Sequence, residues 1–210
     1  MAPTVRTGQN RDSESLPLIL GMDTLALKTE LRRQVAERLS ALTGAKRDEA
    51  SSQARSRLTE QKIWQQARSI LFFAPLPREL DIWPLLETAL SDGKTVGLPR
   101  FDPALKLYRT SRILHPSRDV HIGNFGIREP GPDCGELPSQ LDVILVPGMA
   151  FDLHGRRLGR GKGFYDRLLA EVRGTTCAVA FDEQIVDAVP VEPHDVHLDY
   201  ILTPTRWIEL

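Results

Sequence analysis

Residues Gly155 to Asp166 read G-R-R-L-G-R-G-K-G-F-Y-D, and these residue types at this spacing point to phosphate chemistry. The glycines at 155, 159, 161 and 163 alternate with the cations Arg156, Arg157, Arg160 and Lys162. Glycines let backbone N–H groups approach phosphate oxygens, the cations neutralise charge, and a following helix N-terminus adds its partial positive end. An apolar run, Val143 to Val146, precedes the stretch, and the helix-like Phe164 to Val172 continues it. Strand, cationic glycine loop and helix is an order that binds a polyphosphate. Asp166 ends the loop, where a carboxylate could hold the Mg²⁺ that such a ligand brings.

The loop fits neither common nucleotide motif. A Walker A loop needs Gly-Lys followed by Ser or Thr, whereas Gly161-Lys162 is followed by Gly163. Its earlier glycine position is occupied by Arg156, and the spacing is G-x-G-x-G rather than G-x-G-x-x-G. The bland alternative is a flexible basic turn, and an Arg/Gly-rich loop can also contact RNA.

The elements that must position this loop are legible from hydrophobic period. Leu31, Val35, Leu39 and Leu42 form one apolar stripe of a helix over Leu25 to Leu42, capped by Asp23 or Thr24 and ended by Gly44. Lys28 and Arg32 lie one turn apart on a neighbouring strip, close enough to reach one polyanion; the plain alternative is a solvated helix face. A second helix is expected over Asp48 to Ala67, with Leu58, Ile63 and Trp64 inward. A third runs from Asp81 to Leu90, with Pro84 in its first turn and Gly93 at its end. Strands are expected at Ile70 to Ala74, Thr95 to Leu98, Leu105 to Thr110, Val143 to Val146, Cys177 to Phe181 and Tyr200 to Leu202. Ile113 to Gln140, rich in Pro and Gly, reads as mainly loop. The alternation predicts a three-layer α/β/α domain with a mainly parallel sheet, whose ligands gather at strand carboxyl ends.

With 210 residues the chain can bury one substantial core. Residues 23–210 read as a single domain, and residues 1–22, polar and without period, as a mobile tail. A net charge of −1 argues against a nucleic-acid protein, so the cationic loop suits a small anionic ligand better. No apolar run approaches the roughly 20 residues that span a bilayer, and no secretory signal is evident. Two cysteines, Cys134 and Cys177, suit a reducing, cytoplasmic setting. No heptad pattern stands out, so the expectation is a monomer.

The run V-I-L-V-P-G-M-A-F-D-L-H-G-R-R-L-G-R-G-K-G-F-Y-D, from Val143 to Asp166, resembles the motif of the 5-formyltetrahydrofolate cyclo-ligase (methenyltetrahydrofolate synthetase) family. Phe164 stands where that family usually has Tyr, keeping the ring and losing a hydroxyl. The resemblance extends through Lys28-Thr29-Glu30-Leu31-Arg32, Glu79-Leu80-Asp81, Leu98-Pro99-Arg100 and Ile127-Arg128-Glu129-Pro130. It continues through Ala178 to Phe181, Pro190, His194-Asp195, Leu198-Asp199 and Thr203, covering about Leu25 to Thr203.

The resemblance implies an ATP- and Mg²⁺-dependent ligase that converts 5-formyltetrahydrofolate to 5,10-methenyltetrahydrofolate with release of ADP and phosphate. On that footing the ATP phosphates fall to Arg157, Leu158, Gly159, Arg160, Gly161, Lys162, Gly163, Phe164 and Tyr165, with Lys28 and Arg32 closing from the first helix. Arg160 and Lys162 would act on the transferring phosphoryl group. Ala74, Glu79 and Phe164 would bind the folate, and Asp166 and Asp195 the metal. His194 and His197 beside Asp195 tempt one toward zinc, but no cysteine cluster supports it. Competing expectations are a relative with another ATP-dependent activity, a non-catalytic folate or nucleotide binder, and an RNA-binding module.

Overall fold

The computed structural model describes residues 23–123, 126–190, 192 and 196–210; residues 1–22, read above as a tail, lie outside them. Its centre is a seven-stranded sheet in the order β11-β10-β9-β6-β1-β2-β3. These strands are β1 (Ser69–Leu71), β2 (Thr95–Asp102), β3 (Leu107–Ile113), β6 (Gln140–Val146), β9 (Arg173–Val179), β10 (Tyr200–Leu202) and β11 (Trp207–Glu209). The five inner strands run parallel, and β3 and β11 close the two edges antiparallel.

Side-chain alternation along these strands builds two cores. Val143 and Leu145 of β6, with Ile70 of β1 and Cys177 and Val179 of β9, face one layer. That layer holds α1 (Thr24–Ser40), α2 (Gly44–Thr59), α3 (Lys62–Gln66) and α4 (Trp83–Ser91), which contribute Val35, Leu39, Leu58, Trp64 and Leu86. Ile144, Val146, Leu71, Ala178 and Ile201 face the other way, against Leu168 and Leu169 of α6 (Phe164–Glu171). The expected three-layer α/β arrangement with a mainly parallel sheet is the one observed.

Several boundaries differ from the sequence expectation. Asp23 caps α1 through Leu25 N–H at 3.4 Å, but the helix ends at Ser40, and Gly44 opens α2 instead of closing α1. Thr43 captures the Lys46 N–H (3.3 Å) and so starts a new helix there. The single helix expected over 48–67 is two, α2 and α3, parted at Glu60 and Gln61. The strand placed at 105–110 begins at Leu107 and runs to Ile113, because β3 pairs along the whole of β2.

The region read as loop from 113 to 140 contains α5 (Pro116–Asp119) and a two-stranded ribbon of β4 (Val120–Ile122) and β5 (Arg128–Pro130). A second small ribbon, β7 (Ala150–Phe151) with β8 (Arg157–Leu158), sits between β6 and the glycine loop. It turns the chain so that the loop lies near the carboxyl ends of β1 and β6.

Candidate functional site

The sheet's topology makes a crevice before any side chain is considered. From β1 the chain crosses to β2 on one side, and the later strands β6 and β9 fill the other. Loops after β1 and β6 therefore diverge, the place where open parallel sheets bind ligands. A cavity of about 290 Å³ lies there. Phe73, Ala74, Leu76 and Glu79 follow β1, Pro147 and Gly148 follow β6, and the glycine loop, the β5 ribbon, Pro99 of β2 and Tyr108 of β3 supply the remaining walls.

The loop is built on two pins and two permissive backbones. Arg157 of β8 is buried, and its guanidinium pairs with the Asp166 carboxylate in the first turn of α6 while donating to Pro147 O at 3.3 Å. Arg32 reaches from α1 and donates through Nε to Gly159 O at 2.9 Å. Between the pins, Gly161 and Gly163 have φ of +96° and +63°, where a side chain would be strained, and Gly163 directly precedes α6. The cationic side chains at 160 and 162 are thereby displayed on the cavity wall rather than packed under it.

Of the expected phosphate residues, Arg157, Gly159, Arg160, Lys162, Gly163, Phe164 and Tyr165 line the cavity. Leu158 does not: its side chain is in the core, and its carbonyl accepts from Met149 N–H at 2.7 Å, so only its backbone borders the loop. Gly161 lies outside the wall, beside the Arg32 guanidinium. Lys28 is buried and its Nζ is 2.7 Å from Glu192 Oε2. Neither Lys28 nor Arg32 belongs to the cavity wall, although Arg32 touches the loop that does.

Ala74 and Glu79, expected to bind the second substrate, line the same cavity. Glu79 Oε1 accepts from Arg160 Nη2 at 2.7 Å, and Oε2 accepts from Leu76 N–H at 3.0 Å. The carboxylate therefore has a fixed orientation with a cation across the crevice. Phe164 packs against Phe101 and Tyr108, with ring centroids 5.3 and 5.5 Å away. Tyr165 lies behind, 5.9 Å from Tyr108; burial, then the Glu79 charge, pushes its hydroxyl well above the ordinary phenol range.

Asp166 also lines the cavity, with Oδ1 engaged by Arg157. Its Oδ2 makes no bond to the described residues, which leaves an oxygen for a hard cation of the Mg²⁺ kind. Asp195 and His194 lie outside the described residues. Among the described residues, no three His, Cys, Asp or Glu side chains cluster as a metal cage, and no helix is long and apolar enough to cross a membrane.

The cavity also holds residues that sequence reasoning left without a role: Phe73, Leu76, Pro99, Tyr108, Arg128 and Glu129. Pro99, Arg128 and Glu129 belong to the motifs that carry the resemblance, which gives them a place but no task. Glu129 is the least expected, an acid 4% exposed in a short edge ribbon.

Fold and crevice together define an α/β protein in which a cationic glycine loop and an aromatic, carboxylate-bearing wall face one cavity at the carboxyl end of a mainly parallel sheet. The comparisons give this class its particular member: the family model described as the 5-formyltetrahydrofolate cyclo-ligase family matches residues 24–204, and the chain belongs to that family. It is 37% identical to the 5-formyltetrahydrofolate cyclo-ligase of Mycolicibacterium smegmatis, covering 86% of this chain and 95% of the relative. It is 34% identical to the enzyme of that name from Escherichia coli, over 82% and 97% respectively. The solved structure of Aquifex aeolicus 5,10-methenyltetrahydrofolate synthetase superposes with a TM-score of 0.79 at 32% identity, covering 88% of this chain and 93% of that one.

Proposed function

We propose that this chain closes 5-formyltetrahydrofolate to 5,10-methenyltetrahydrofolate at the expense of ATP, releasing ADP and phosphate. The observation that carries the reading is the meeting of the cationic glycine loop and the Glu79 carboxylate in one cavity, 2.7 Å apart through Arg160. Two chemically opposite binding ends are needed, one for a polyphosphate and one for an N–H-rich ring, and both are present.

An N-formyl oxygen is a poor leaving group. Transfer of the γ-phosphoryl group from ATP onto it, with ADP leaving, lets N10 attack the formyl carbon and lose its proton to solvent, after which the C–O bond breaks and the electron pair leaves with phosphate. The protein's work is positioning and charge stabilisation. Arg160 and Lys162 stand on the wall where the equatorial phosphoryl oxygens would gather charge. Arg157 holds the loop, and Arg32 steadies it from α1. Lys28, expected at the phosphates, is within one helical turn of Arg32, and its partner Glu192 would have to yield for it to reach them. Glu79 accepts N–H donors of the pterin, with Ala74 and Phe164 forming the wall of its slot. Mg²⁺, when bound, screens the β- and γ-phosphate charge; Asp166 would hold it, with Asp195 as the second carboxylate named by the family resemblance.

The reading places the enzyme in the cytoplasm as a monomer, with residues 23–210 as one catalytic domain. The two described cysteines, Cys134 and Cys177, are unpaired, as a reducing compartment requires. The test is direct. Purified protein, 5-formyltetrahydrofolate, ATP and Mg²⁺ are mixed, and methenyltetrahydrofolate is followed by its ultraviolet absorbance. A rise that needs both ATP and Mg²⁺ supports the reading; folded protein that binds ATP and gives no rise removes it.

A further inference from the structure

Glu129 presents a problem of physical chemistry that the proposed roles leave unsolved. It sits in β5 opposite His121 of β4, and 96% of its surface is covered. Its Oε2 accepts one long bond, from Phe101 N–H at 3.4 Å. Its Oε1 is buried and has no hydrogen-bond partner among the described residues. Burial is the main influence on its carboxyl and pushes it above the usual Glu value, against weaker pulls from the Phe101 N–H and His121. An acid so placed weakens the fold, and a Gln or an apolar residue would fill the same space at less cost.

The surroundings hold the carboxyl in place. A Cβ at Gly123, the residue after β4, would come within 2.6 Å of it, so only glycine fits there without a shift. Phe101, Tyr108 and Phe164 form a cluster of rings beside it, and Tyr108, Phe164, Ile127 and Glu129 share the cavity wall. A flat aromatic wall with a carboxyl acceptor next to it complements a flat heterocycle bearing N–H groups. It does not suit a polyphosphate, which the carboxyl would repel. The loop cations Arg160 and Lys162 serve that ligand instead.

We infer that Glu129 is a second acidic recognition residue of the folate site, whose unpartnered carboxyl oxygen accepts a hydrogen bond from an N–H of the reduced pterin. The inference rests on the folate reading above. It differs from the Glu79 role in that Glu79 is satisfied in the ligand-free protein, whereas Glu129 lacks one partner until the ligand supplies it. Ligand binding then offsets a burial cost already present in the fold.

The experiment is calorimetric titration of wild type, Glu129→Gln and Glu129→Ala with 5-formyltetrahydrofolate alone, and separately with ATP·Mg²⁺, together with thermal melts. Without the second substrate neither titration turns over. Glu129→Gln keeps the acceptor for Phe101 N–H, so it folds even if the alanine variant does not. The expected result is a loss of about ten-fold or more in folate affinity in both variants, with ATP affinity held and Glu129→Gln melting no lower than wild type. Unchanged folate affinity overturns the inference. So does a joint fall of folate affinity, ATP affinity and melting temperature, which is the signature of a structural residue. Wild type that binds no 5-formyltetrahydrofolate overturns the folate reading itself and the inference with it; wild type that binds and cyclises it alongside fully active variants overturns the Glu129 role alone.

Discussion

The two ends of the glycine loop contrast sharply. At Arg157 and Leu158 the motif is interior: a buried guanidinium paired with Asp166, and a leucine in the core. At Arg160 and Lys162 it lies on the cavity wall, and Arg160 is half exposed, linked to Glu79 across open space. Residues two to five positions apart in one motif thus perform different physical tasks. The first end fixes where the loop is, and the second end meets the ligand. A motif match by itself does not distinguish the two, because both ends place an arginine in the same run of glycines and cations.

The largest effect that sharpens this contrast is kinetic. Arg160→Ala and Lys162→Ala should each lower kcat by about 10²-fold or more while the melting temperature hardly moves, since removal of one donor to developing charge costs on that order. Steady-state cyclisation rates alongside thermal melts check it, and unchanged turnover in both would break the assignment.

Arg157→Ala should show the reverse emphasis. It leaves Asp166 and Pro147 O without their partner and should destabilise the fold by about 3 kcal/mol, as loss of one member of a largely buried pair does. Urea titration measures this. Activity would fall as well, but as a consequence of a displaced loop, so ATP affinity and kcat should decline together.

Glu79→Ala comes next, with about ten-fold weaker 5-formyltetrahydrofolate binding, because one charge-assisted acceptor is lost. ATP affinity should hold or improve slightly, since Arg160 is released from its carboxylate partner. Retention of tight folate binding by this variant would remove the pterin role.

The smallest effect is a pH dependence. Glu129 is raised above its ordinary value of 4.5 in the folded state, so the folded chain keeps that proton to higher pH than the unfolded chain does. Its contribution to stability is therefore fully present below that value and is lost as pH rises through the raised one. Glu129→Gln should remove this decline and melt higher than wild type at neutral pH. A variant that melts lower there, with the same pH slope as wild type, would contradict the buried-charge reading.

Much of this molecule was legible from its sequence because apolar period is a strong signal where burial is two-sided. Tyr200 to Leu202 was placed to the residue, and the stripe of Leu31, Val35, Leu39 and Leu42 does face the core. What escaped was decided by tertiary pairing. Trp207–Glu209 becomes a strand only because β10 offers an edge, and Ala150–Phe151 pairs with Arg157–Leu158 only once the chain doubles back. The Pro- and Gly-rich segment after Ile113 hid β4 and β5 for the same reason.

The site divided along similar lines. The glycine loop and Glu79 were visible as residue types at telling positions, and the structure brings them to one cavity. The Arg157–Asp166 pair joins residues nine apart across a loop, with no local periodicity to announce it. Glu129 reads as an ordinary acid between Arg128 and Pro130; its burial arises only when β5 packs on β2, where Phe101 supplies the N–H that holds it.

The central claim is that both substrates meet on this crevice and that the cationic loop drives phosphoryl transfer to the formyl oxygen. The most direct measurement is the ultraviolet absorbance of methenyltetrahydrofolate on mixing the purified chain with 5-formyltetrahydrofolate, ATP and Mg²⁺. The rise should occur with one phosphate released per methenyl group formed, and should collapse in Arg160→Ala protein that still melts as wild type does. No rise from folded wild type that binds ATP, or phosphate release that is independent of the folate, would contradict it.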